Sequence, residues 1–87
     1  MPAPRVADPV VFRELDGEAV LLHLETGIYF GLDRVGTHIW RALERRDPLD
    51  RLVAGLVQEY EVDAATARAD ALRLIQQLTD KGLLVAG

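Results

Sequence analysis

The chain contains no serine, no cysteine and no asparagine, and its single lysine, Lys81, stands against nine arginines. Without serine or cysteine there is no hydroxyl or thiol nucleophile of the usual kinds, no disulfide framework and no thiolate metal site. A small domain without such staples must be held by its core, which fits a reducing compartment and gives a cytoplasmic expectation. No apolar run exceeds four residues, as at Ala19–Leu22, and Met1–Asp8 lacks the apolar stretch of a signal peptide. No membrane partner is expected.

A basic face is missing as well. Ten basic residues oppose fourteen acidic ones, for a net charge of −4. Residues 1–32 hold two arginines and five acids, residues 33–61 five and six, and the remainder three of each. Nucleic acid is therefore a disfavoured partner, because neutralising many phosphates needs a positive surface.

What is present suits one small core. The 87 residues are 49% hydrophobic and 28% charged, and a domain of this size buries roughly 60–65% of the surface its unfolded chain would expose. Residues 1–9, with Pro2, Pro4 and Pro9, read as a flexible or extended lead-in to a domain over 10–87. Val10–Leu15 is rich in strand formers, and Asp16-Gly17 is a strong two-residue hairpin signal because both central residues of a type I′ turn need positive φ. Ala19–Leu24 returns as a second strand. After Glu25-Thr26-Gly27, Ile28–Leu32 forms a short third strand. Alternation places Val20, Leu22 and Leu24 on the core side of the second strand, with Ile28, Phe30 and Leu32 on the core side of the third.

From Asp33 the period changes to that of a helix. Asp33 reads as an N-cap, and Val35, Ile39, Trp40 and Leu43 recur at helical spacing. Asp47-Pro48 reads as the cap and first residue of a second helix carrying Leu49, Leu52, Val53, Leu56, Val57 and Tyr60. Glu61-Val62-Asp63 separates it from a third helix with Ala67, Ala71, Leu74, Ile75 and Leu78, closed by Lys81-Gly82. The fold class is α+β: a three-stranded antiparallel sheet followed by three helices.

Few residues suggest catalysis. His23 and His38 are the only imidazoles and lack metal-ligand spacing. The acids fall at caps, in turns and on solvated helix faces, and the glycines match no phosphate-binding loop. The last two helices with the sheet resemble a winged helix-turn-helix. The would-be recognition helix, however, offers Arg68 and Arg73 together with Asp63, Asp70 and Asp80, so it has no net positive face. A winged-helix regulator remains an alternative on architecture alone. The third strand is more informative. At the edge of a three-stranded meander, Ile28-Tyr29-Phe30-Gly31-Leu32 carries none of the lysines or prolines that usually blunt an edge; either it offers its backbone to an extended peptide, or a helix or the N-terminal segment covers it.

The run DGEAVLLHLETGIYFGLDRVGTHIWRAL, Asp16 to Leu43, resembles the PqqD-like proteins, which include the recognition elements of ribosomal peptide biosynthesis. The block ETGxYFGLDxVGxxIW is its most specific part, and the likeness extends to the KGLL at Lys81–Leu84. The resemblance implies a winged helix-turn-helix and a non-catalytic protein without cofactor that captures the leader segment of a precursor peptide. It implies that the leader adds to the third strand at Ile28, Tyr29, Phe30, Gly31 and Leu32. Asp70, Arg73, Leu74 and Gln77 of the third helix would wall the adjoining groove, while Val35, Ile39 and Trp40 belong to the core. Within the family the chain looks most like the stand-alone leader-binding protein of lasso-peptide systems. Its partners would be a separate cysteine leader peptidase and a cyclase acting afterwards. The peptide chaperone of pyrroloquinoline quinone biosynthesis is the near alternative.

Overall fold

The computed structural model describes residues 4–86. Three antiparallel strands, β2 (Val10–Leu15), β3 (Glu18–His23) and β4 (Tyr29–Gly31), form a meander in the order β2-β3-β4. Three helices follow: α1 (Arg34–Glu44), α2 (Leu49–Glu59) and α3 (Ala64–Asp80). This is the expected α+β arrangement. A second, two-stranded sheet is added to it. β1 (Arg5–Val6) pairs antiparallel with β5 (Leu84–Val85), in the register Arg5↔Val85 and Val6↔Leu84. Ala7 is buried and donates its N–H to Leu83 O at 3.1 Å. Of the flexible or extended lead-in expected over 1–9, Arg5–Ala7 is extended and held in place by pairing and burial. Residues 1–3 lie outside the described residues.

The hairpin between β2 and β3 follows its sequence signal. Asp16 and Gly17 take φ of 55° and 82°, and Leu15 pairs with Glu18. This tight turn sets the register along both strands, with Phe12 opposite Leu21 and Val10 opposite His23.

The faces of β3 are the reverse of the expected ones. Ala19, Leu21 and His23 are buried, whereas Val20 and Leu24 are exposed and Leu22 is half-buried. Both triads are largely apolar, so alternation alone cannot select between them; contacts with the helices do. Ala19 is small enough for α1 to approach, and its N–H donates to Thr37 Oγ1 at 2.8 Å. Leu21 joins Ile39, Trp40 and Leu43 in the core, with Phe12 edge-on to the Trp40 ring at a centroid distance of 6.2 Å. On β4 the expected face holds: Leu32 just beyond the strand is buried, Ile28 and Phe30 are half-buried, and Tyr29 and Gly31 are exposed.

Helix ends show where local rules win and where the chain reuses a residue. Asp33 Oδ1 accepts from Gly36 N at 2.7 Å, and Asp63 Oδ1 accepts from Thr66 N at 2.7 Å, both as N-caps. At α2 the expected cap is corrected. Pro48 occupies the N-cap position without a side-chain bond, because Asp47 closes α1 instead. Arg46 adopts φ 63°, Asp47 N donates to Ala42 O at 3.0 Å, and the Asp47 carboxylate accepts from Arg45. Tyr60, expected as the last residue of the α2 stripe, is already extended at φ −123° and ψ 148°.

The hydrogen bonds from Thr66 hold the Asp63 carboxyl below its ordinary value. A lowered folded-state value means that its stabilising contribution is complete above the unfolded pKa of about 4 and is lost as the pH falls through the folded value. Asp63→Asn keeps a capping oxygen without the titration. It is expected to flatten the acid side of the stability profile, measured as the denaturation midpoint from pH 6 to pH 2.5. An unchanged acid slope would remove Asp63 from the acid response.

Candidate functional site

β4 is one of the two edge strands of the main sheet, with β3 along only one of its sides among the described residues. His23 N donates to Ile28 O at 3.0 Å, and Leu32 N donates to Ala19 O at 2.8 Å. In an antiparallel ladder alternate residues turn their N–H and C=O to the same side. Ile28, Phe30 and Leu32 therefore address β3, while the backbone groups of Tyr29 and Gly31 aim at the open edge. Their side-chain positions lie on the solvent face of the sheet, where Tyr29 is 69% exposed and Gly31 has no side chain.

The turn before β4 is held from below by a buried histidine. His23 is 7% exposed, and its Nδ1 accepts from Glu25 N at 3.2 Å and Thr26 N at 3.3 Å. Gly27 follows at φ 75°, which returns the chain into β4. Lacking metal-ligand spacing in the sequence, His23 is in the structure a buried turn organiser. His23→Leu leaves two backbone donors without their acceptor and is expected to cost about 1–2 kcal/mol. The measurement is a lowered denaturation midpoint with faster amide exchange at Glu25 and Thr26; unchanged exchange there would contradict this role.

Beside the edge lies an open groove of roughly 530 Å³. Phe30, Gly31 and Leu32 form one wall, and Asp70, Arg73, Leu74 and Gln77 of α3 form the other. Seven of the nine residues singled out in the sequence thus meet in one concavity. Ile28 and Tyr29 do not line it; Ile28 belongs to the ladder with β3, and Tyr29 faces the opposite side of the sheet. The floor and one end come from Asp33, Val35, Gly36 and Ile39. Val35 and Ile39, expected in the core rather than in contact with the peptide, border both the core and the groove. Gly36 has a local reason to lack a side chain: a Cβ there would lie 3.2 Å from Leu32 Cδ2 and from Asp33 Oδ1. The early break of the apolar stripe at Gly36 was the available signal for this end of the groove.

The electrostatics of α3 are nearly neutral. Arg73 Nη1 lies 3.2 Å from Asp70 Oδ1, and Arg68 Nη1 lies 4.0 Å from Asp50 Oδ1. On the far side of α1, Arg41 donates to Glu14 through both Nε and Nη2. That hydrogen bond, followed by the Glu14 charge, raises the Arg41 pKa above its ordinary value. Partial burial raises Glu44, opposed by Arg41. A helix whose guanidiniums are matched by carboxylates is poorly suited to a phosphate backbone. A groove with one largely apolar wall and one mixed wall beside an open strand edge is suited to an extended peptide, whose backbone bonds to the edge while alternate side chains enter the groove. Among the described residues no helix is long and apolar enough to cross a membrane.

Comparison with known proteins identifies the family and the fold. Residues 18–84 match the family of coenzyme PQQ synthesis protein D (PqqD). No curated protein matches the chain. The solved structure of TbiB1 in complex with the TbiA(beta) leader peptide is similar at 42% identity, covering 92% of this chain and 93% of that one, with a TM-score of 0.87. The structure of a lasso peptide synthetase B1 complexed with the leader peptide shares the fold at a TM-score of 0.88 and 24% identity, covering 95% and 98%. With the family match spanning most of its length and the TbiB1 fold reproduced across nearly all of it, the chain belongs to the PqqD family.

Proposed function

We propose that this protein is a non-catalytic cytoplasmic carrier that captures the leader segment of a ribosomally made precursor peptide of the lasso type. The leader adds as a strand to β4 and is delivered to a separate cysteine leader peptidase, with a cyclase acting afterwards. The observation that carries this reading is the open edge at Tyr29 and Gly31 lying directly beside the groove between β4 and α3. The leader peptide held by TbiB1, at 42% identity, supports the ligand class.

The energetics suit a reversible carrier. Tyr29 and Gly31 together offer two donors and two acceptors, each backbone bond worth about 0.5–1.5 kcal/mol net, and one apolar anchor adds about 1.5–3 kcal/mol. After the cost of ordering the peptide, a Kd between about micromolar and tens of nanomolar follows. Tethering then raises the effective concentration of the substrate at an enzyme docked on the same carrier. The outer sheet face supports a protein partner. Val11, Val20, Leu24 and Tyr29 are all exposed there, forming an apolar surface continuous with the edge.

The test is a titration of the TbiA(beta) leader peptide into isotope-labelled protein. The amides of residues 28–32 and of the groove face of α3 are expected to shift, and binding without shifts at residues 28–32 would overturn the proposed edge. Cleavage of the peptide by this chain alone would overturn the non-catalytic role.

A further inference from the structure

The only lysine of the chain stands at one end of the groove. Lys81 is the C-cap of α3, one turn beyond Gln77 on the flank that walls the groove. Its backbone position is set by the helix ending. Gly82 at φ 75° donates to Thr79 O at 3.0 Å, and Leu83 N donates to Leu78 O at 2.9 Å. From there the Lys81 ammonium reaches over the Phe30 ring, 5.8 Å from its centroid. Phe30 is itself a groove wall, so the charge hangs over the path a peptide strand would follow.

The neighbouring charges of α3 are already engaged. Arg73 pairs with Asp70, Arg68 with Asp50, and the Asp80 carboxylate accepts from Gln76 Nε2 at 2.8 Å. Among the described residues Lys81 makes no ion pair. A strand laid along β4 turns alternate side chains toward α3. A residue beside Leu32 would point into the apolar part of the groove near Leu74. The next residue on the same side, two positions along and about 7 Å away, would lie beside Phe30. There it meets an ammonium above the ring face and the electropositive ring edge, a setting that favours a carboxylate.

We propose that Lys81 is a specificity residue of the groove, pairing with an acidic side chain of the bound peptide two positions from its apolar anchor and on the same side of the strand. This rests on strand addition of a leader to β4. It adds a charge rule to a groove whose other wall charges, Asp70 and Arg73, are paired with each other.

The experiment is a glutamate scan of the TbiA(beta) leader peptide, with binding followed by fluorescence anisotropy at low salt for the wild type, K81A, K81E and K81R. At one position glutamate is expected to tighten binding to the wild type about three- to fivefold, the scale of a solvent-accessible ion pair. The gain persists in K81R, disappears in K81A, reverses in K81E, and is erased at about 0.5 M salt. If the unmodified peptide binds and no position shows a gain dependent on Lys81, the charge rule is overturned while leader capture stands. If the wild type fails to bind the peptide, leader capture falls and the charge rule falls with it.

Discussion

Tyr29→Pro is expected to weaken leader-peptide binding by about two orders of magnitude while leaving the fold intact. The Tyr29 N–H points to the free edge, away from the ladder with β3, so proline removes no bond of the folded protein. A proline ring on an edge strand is tolerated on that side, and the extended backbone of Ile28 ahead of it is compatible with a following proline. The bound peptide, by contrast, loses a donor and retains a desolvated carbonyl, a penalty of about 2–4 kcal/mol for the missing bond and the unpaired group together. Tyr29→Ala is the necessary companion. The phenol ring is 69% exposed on the outer face and lies outside the groove, so its removal is expected to change leader affinity by less than about threefold. Titration calorimetry with both variants, alongside their amide spectra, separates backbone capture from side-chain contact. Tyr29→Pro that folds and binds like the wild type would exclude strand addition at this edge.

Trp40→Ala is expected to cost about 3–5 kcal/mol of stability, a large share of the roughly 5–15 kcal/mol available to a small domain. Trp40 has no exposed surface, stands edge-on to Phe12, and sits in the cluster joining β3 to all three helices through Leu21, Leu52 and Ala71. Its Nε1 is buried without a hydrogen-bond partner among the described residues. Trp40→Phe therefore removes an unpaired donor as well as volume, and its cost is expected to be clearly smaller than that of alanine. Far-UV circular dichroism in urea reads both variants, because the only tryptophan is lost in each. Equal costs for phenylalanine and alanine would mean that ring volume is not what Trp40 contributes. Trp40→Ala also tests the division between core and site. It should weaken leader binding only in proportion to the unfolded fraction, since Trp40 does not line the groove.

Much of the architecture was legible in the residues because it rests on local rules. Asp16-Gly17 can supply two positive φ values, Asp33 and Asp63 can cap helices, and Gly82 can take the left-handed position that ends α3; the structure uses each in that way. Asp47 was misread because two motifs compete for it. Its carboxylate could cap α2, yet its backbone is taken by the end of α1, and Pro48 accepts the cap position by default. The pairing of Arg5–Val6 with Leu84–Val85 joins segments nearly eighty residues apart, and nothing in a two-residue strand signals its partner.

The candidate site divides along the same line. The short, uncharged third strand and the absence of the usual nucleophiles follow from residue type and period, whereas the helix flank with Asp70, Arg73, Leu74 and Gln77 entered through the family resemblance alone. Only the tertiary structure decided that the flank of α3 faces β4 across a groove, that Val35 and Ile39 serve core and groove together, and that Lys81 reaches Phe30. It also decided which side of β3 is inside. Val20, Leu22 and Leu24 are more apolar than Ala19, Leu21 and His23, so composition favoured the face that proves to be outside. The choice was made by the close approach of α1 to the small Ala19 and by the two turn amides that bury His23, contacts that exist only once strand and helix are packed together.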